Sequence, residues 1–172
     1  MYIFPEHPQK SQESAWIENS LRIGDYFDVL LHNKRDFSGN AFAQLAHYGI
    51  RLRDDMVYIL VQFDTASLWT ADMLLQAEPN PLIRTIFAVF GSAFPMHLFT
   101  SDGGLYGLLY FTPPFQGEWF FWQMTTCCNR LVELEPRWDL HILISKDEQG
   151  QQGIFHAANS LRHGLDYLRF FN

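Results

Sequence analysis

The stretch Ser101-Asp-Gly-Gly-Leu-Tyr-Gly-Leu-Leu-Tyr-Phe111 decides how the rest of the chain is read. Asp-Gly is a turn dipeptide, and the residues after the two glycines carry no charge. The segment reads as a tight turn feeding a buried strand. Two explanations of Gly103-Gly104 stay open: plain hairpin chemistry, or the remains of a loop that handles a nucleotide. The first points to a sensor, the second to an enzyme.

Upstream, Pro95 opens a short strand, Met96 to Thr100, which carries His97; the turn joins it to a strand over 105–111. Pro113-Pro114 stops that strand. A helix is expected over 117–135, apolar at Phe121, Met124, Cys128 and Leu131 and ended by Pro136. Asn80-Pro81 is a cap followed by a first-turn proline, so a helix runs from there to about Gly91. Met56–Phe63 is apolar throughout except Gln62, as in a strand covered on both faces, and Asp64 closes it. Residues 65–78 show no clear pattern. Strand 138–145 and helix 151–170 complete the chain, the latter striped by Ile154, Ala158, Leu161, Leu165 and Leu168.

Two helices precede this unit. Ile23, Phe27, Leu30 and Leu31 recur at helical spacing within 14–33. Ser38 can cap a second helix over 39–48, with Gly49 as a left-handed stop and Ile50 as its apolar contact. Residues 1–12, with Pro5 and Pro8, read as a flexible arm ahead of a single domain spanning 13–172.

The expected class is α+β, with a core over 54–145 and flanking helices within 14–48 and 151–171. The order β-α-β-β-α-β is the ferredoxin-like split βαβ unit. Right-handed crossovers then demand a four-stranded antiparallel sheet in the order 4-1-3-2, with both crossover helices on one face. The opposite face is apolar too, so the terminal helices or a second copy must cover it.

Composition excludes several functions. Twelve Lys+Arg against 19 Asp+Glu give a net charge of −7, and no dense basic tract is present, so direct nucleic-acid binding is not expected. Apolar residues make up 48%, enough for a substantial core, and no run is long enough for a membrane span. Cys127 and Cys128 are adjacent, unsuited to a mutual disulfide, and read as buried helix thiols in a reducing compartment, so the expected location is the cytoplasm. The P-loop, G-x-S-x-G, H-E-x-x-H and G-x-G-x-x-G patterns are absent, and the seven histidines are scattered. No metal site, cofactor or catalytic residue is expected.

One constellation remains. In this topology the first and third strands are neighbours, so Asp64 lies beside the turn. An acid there and an acidic pair in the turn would hold two divalent cations and a nucleoside triphosphate. The element order, the aspartate after the first strand and the Gly-Gly hairpin resemble the GGDEF (diguanylate cyclase) fold. Its Gly-Gly-acid-acid-Phe falls on Gly103-Gly104-Leu105-Tyr106-Gly107, so both acids are replaced. A tyrosine phenol stays protonated at neutral pH and cannot stand in for a metal-binding carboxylate. The resemblance implies a degenerate site at Asp64, Asp102, Gly103, Gly104 and Tyr106 that can bind a ligand without catalysis.

The chain also resembles the degenerate GGDEF-like domains that precede DNA-binding helices in AraC-type and PucR-type bacterial transcription regulators. The matching passages are Asp25-Tyr-Phe-Asp-Val-Leu-Leu-His32, Leu45-Ala-His-Tyr-Gly-Ile-Arg-Leu-Arg-Asp-Asp55, the strand ending in Leu143-Ile-Ser145, and the last helix from His156 to Phe171. This resemblance implies a non-catalytic, cytoplasmic sensor domain that answers to a small molecule and can form a homodimer, with a helix-turn-helix domain expected after Asn172. Trp119 and Trp122, and the stripe Leu161, Leu165 and Leu168, are the candidate interface residues. The alternatives are a divergent nucleotide cyclase or nucleotide-binding domain, and a stand-alone structural dimerisation module.

Overall fold

Residues 23–32, 35–65, 69–70, 73, 80–163 and 168–170 are described by the structure, a computed structural model. The arm over 1–12, residues 14–22, most of 65–78 and Leu165 lie outside them. In chain order the elements are α1 (23–31), α2 (Arg35–His47), β1 (Val57–Asp64), α3 (Pro81–Phe90), β2 (Met96–Ser101), β3 (Gly104–Phe111), α4 (Gly117–Leu134), a 3-10 turn (Pro136–Trp138), β4 (His141–Ile144), β5 (Glu148–Gln149), α5 (Gln151–Arg162) and β6 (Leu168–Phe170).

The sheet follows the order β2-β3-β1-β4, and every pairing is antiparallel. This is the arrangement that two right-handed crossovers impose. β1 and β3 are central and pair from Val57↔Phe111 to Phe63↔Leu105. Alternation along β1 sends Ile59, Val61 and Phe63 to one face and Tyr58 and Leu60 to the other, and both faces are buried. That is why the run is apolar apart from Gln62, which is only partly buried.

The first face packs against α3 and α4. Leu82, Ile83, Ile86 and Phe90 of α3 and Phe120, Met124, Cys128 and Leu131 of α4 share a core with Phe63, Leu105 and Leu109. Asn80 caps α3 as its sequence demands, its Oδ1 accepting from the Leu82 N–H at 2.9 Å. The second face is closed by α1, α2 and α5, through Phe27, Leu31, Leu45, Ile154 and Ala158 packed on Tyr58, Leu60, Phe99 and Leu108. The stop after α2 is built as expected. Gly49 adopts φ 83°, and the Ile50 N–H donates to the Leu45 carbonyl at 2.9 Å.

The edge strand β2 carries a histidine in this second layer. The His97 ring stacks on Tyr110 at 5.1 Å, and burial pulls its imidazole from 6.5 down to about 4. Between those values the unfolded chain binds the proton more strongly. Stability therefore rises with pH through that window and is lost as pH falls from 6.5 toward 4. Urea unfolding at both ends of the window should show a larger loss for the wild type than for His97→Gln. Equal losses would refute the account.

Ser145 explains how β1 stays paired past the end of β4. Pairing runs Val61↔Ile144 and resumes at Tyr58↔Glu148, so the outer strand holds one residue more than β1 over the same interval. At this bulge the Ser145 N–H donates to the Leu60 carbonyl at 2.9 Å, and the Leu60 N–H donates to Ser145 Oγ at 2.9 Å. The hydroxyl takes the place that a strand carbonyl would fill. Ser145→Ala leaves a buried N–H in the central strand without its acceptor, a loss of about 1–3 kcal/mol. Chemical unfolding should show that loss for Ser145→Ala and a smaller one for Ser145→Thr.

Several expectations need correction. Among the described residues the sheet has six strands, not four: β6 extends it beyond β4, with Ile144↔Leu168 to Ile142↔Phe170, and β5 adds to β1. The last helix therefore ends at Arg162 instead of running to 170 or 171. Leu168 fits the helical stripe, yet the open ladder groups of β4 take residues 168–170 as an added strand. β4 begins at His141, because Trp138 closes a 3-10 turn and Asp139 takes φ 43°. Helix α2 starts at Arg35, so Ser38 lies within it and is not its cap; the apolar stripe marks only where the helix is buried. On α4 the buried row runs through Phe120, and Phe121, turned about 100° away, is 50% exposed.

Candidate functional site at the β2–β3 turn

The turn is a two-residue connection between Ser101 and Gly104, which pair directly. Its central residues, Asp102 and Gly103, have φ of 50° and 72°, the left-handed pair that a type I′ hairpin requires. Asp-Gly satisfies this with little strain. Gly104 has a different role. A Cβ there would lie 2.8 Å from Cε2 of Tyr106, so the tyrosine ring occupies the space over the glycine.

Helix α1 covers one side of the turn. Gly24 allows the approach: a Cβ on it would stand 2.9 Å from the Thr100 carbonyl oxygen. One turn and two turns further on, Asp28 and His32 face the hairpin. Ser101 Oγ donates to Asp28 Oδ1 at 2.7 Å. His32 Nδ1 lies 2.9 Å from the Asp28 carbonyl oxygen, and Nε2 lies 2.8 Å from Asp102 Oδ2. A cleft of about 310 Å³ opens beside this cluster, walled by Asp25, Trp69 and Gly103 among others. Trp69 fixes the far wall, its N–H donating to the Gly103 carbonyl at 3.0 Å and its Nε1 to the Phe63 carbonyl at 3.2 Å.

The predicted site residues do meet. Phe63 pairs with Leu105, so Asp64, exposed at the end of β1, falls beside Gly104. Tyr106 points to the α1 side, half-buried, with its ring 5.7 Å from Phe99. Burial raises its phenol pKa; Asp102 and Asp64 push in the same direction, and Arg162 of α5 opposes them. Leu105 points to the opposite face and is fully buried in the crossover-side core. The turn thus gathers Asp64, Asp102, Gly103, Gly104 and Tyr106, and adds Asp28, His32 and Arg162, which the sequence reading did not select.

Asp28 on α1 and His32 just past its end are four apart, a spacing visible in the sequence, but their link to Asp102 spans the whole first crossover. Among the described residues one group could place three ligand atoms around a cation: Asp28, His32 and Asp102, whose ligand atoms lie within 4.8 Å of one another. In this arrangement both ring nitrogens of His32 already face an oxygen, so a cation would have to displace the ring from one of them.

The interface candidates divide. Trp119 and Trp122 are 45% and 64% exposed on α4. Leu161 is buried against the sheet and is not available to a partner. Leu168 belongs to β6, paired with Ile144, and Leu165 lies outside the described residues. A second cleft, of about 490 Å³, lies at the far end of β3 beneath Trp119, between Tyr110, Phe111 and Phe115. Among the described residues no helix is long and apolar enough to cross a membrane.

Comparison of the chain with protein-family models, with curated proteins and with solved structures finds no match.

Proposed function

We propose that this chain is a non-catalytic regulatory domain of the ferredoxin-like, degenerate GGDEF type, similar to the sensor domains that precede DNA-binding helices in AraC-type and PucR-type regulators. The observation that carries the reading is the placement of Leu105 and Tyr106. In the resemblance these positions hold the acids of a cyclase. Here the first is a leucine with no exposed surface, and the second a half-buried tyrosine whose phenol burial holds in its neutral form. Asp102, the acid in the turn itself, faces His32 at 2.8 Å.

The sheet order and the two crossover helices on one face also support this reading. A ligand shifts a protein between two states by contacts that differ between them, and α1 touches the turn through side chains that a small ligand in the cleft would meet. Titration calorimetry with GTP and Mg²⁺ tests the proposal. The expected result is no Mg²⁺-dependent nucleotide binding. Binding that requires Mg²⁺ and disappears in Asp64→Ala would favour a nucleotide site instead.

A further inference from the structure

Helix α4 carries a face whose composition the fold does not explain. Glu118, Trp122, Thr126 and Arg130 stand four residues apart, and all are exposed. They form one continuous ridge along the helix. Trp122 is 64% exposed, and Phe121 beside it is 50% exposed. Neither Glu118 nor Arg130 makes an ion pair among the described residues. They are about 18 Å apart along the axis at 1.5 Å per residue, too far to pair with each other.

The order acid, tryptophan, threonine, base is self-complementary when reversed. Two α4 helices laid antiparallel, with their two-fold axis between Trp122 and Thr126, set each Trp122 against the Thr126 of the other copy. The same operation sets each Glu118 against the other copy's Arg130. A large ring meets a small side chain at the centre, and opposite charges meet at both ends. The chain as a whole carries −7, so most approaches of two copies are repulsive. The Glu118–Arg130 ridge holds one acid and one base and is neutral.

We infer that the protein forms a two-fold homodimer through α4, with Trp122 at its centre and reciprocal Glu118–Arg130 pairs at its ends. The inference rests on the regulatory reading only in giving that domain an output surface. A strictly monomeric protein would leave the nucleotide-binding result untouched.

Sedimentation equilibrium of the full chain over a wide concentration range is the test. The wild type is expected to move between monomer and dimer, and Trp122→Lys to remain monomeric at every concentration. Arg130→Glu, which sets like charges against each other at both ends, should weaken the dimer about tenfold or more. The double reversal Glu118→Arg with Arg130→Glu should recover most of that loss, an outcome that a folding defect cannot produce. A wild type that is monomeric throughout, or single and double reversals of equal affinity, would overturn the proposal.

Discussion

Replacing Leu105 by glutamate is expected to destabilise the fold by at least about 4 kcal/mol and to produce no enzymatic activity. The substitution restores an acid at the position where the GGDEF signature carries one. In this chain that side chain has no exposed surface and lies in the same core as Phe63, Trp69 and Leu109. A carboxylate placed there loses its hydration and gains no cationic partner. Tyr106→Glu is the control. Its side chain points to the other face, half-buried, within the field of Arg162, so the loss should be clearly smaller. Urea unfolding followed by circular dichroism separates the two. A Leu105→Glu protein as stable as the wild type would mean that this position is not core.

Phe99→Ala is expected to lower stability by about 3–5 kcal/mol. Phe99 stands between two layers of aromatic packing, with Phe27 of α1 stacked at 4.3 Å and Tyr106 at 5.7 Å. Removing the ring opens a cavity under α1 and takes away the support of the tyrosine that lies over Gly104. The damage should be directional. Hydrogen exchange should accelerate in α1 and around Asp102 more than in α4, which packs on the opposite face. Phe99→Leu keeps most of the volume and should lose much less. Uniform acceleration across both faces would contradict a fold with two separately packed cores.

The sheet order was legible because few elements and strict rules combine. Once Met56–Phe63 is read as a two-faced strand and 96–111 as a hairpin, crossover handedness leaves one antiparallel arrangement. Asn80, Gly49 and Pro136 were legible for a local reason, since each acts on the backbone within a turn of its own position. What stayed hidden depends on tertiary contact. Leu168 matches a helical stripe, and only the free edge of β4 makes it a strand. Phe120 and Phe121 are equally apolar, and the packing of α4 on the first face buries only Phe120. Ser145 reads as an ordinary strand end until its hydroxyl is seen to receive the Leu60 N–H.

The candidate site was half legible. Gly103-Gly104 and Asp64 converge because β1 and β3 are neighbours, which the topology already requires. The two glycines proved unequal: Gly103 serves the backbone of the turn, and Gly104 makes room for the Tyr106 ring. Asp28 and His32 were not selected, because their role depends on how α1 lies across β2, and Gly24 permits that approach without announcing it in any periodic pattern.

The most direct test of the central claim is a turnover measurement. The intact protein is incubated with GTP or ATP and Mg²⁺, and cyclic and linear nucleotide products are separated by chromatography. A regulatory domain with Leu105 in its core and no acid at Tyr106 is predicted to form no product above the protein-free blank. Measurable product that disappears in Asp64→Ala would contradict the account and make the turn a catalytic site.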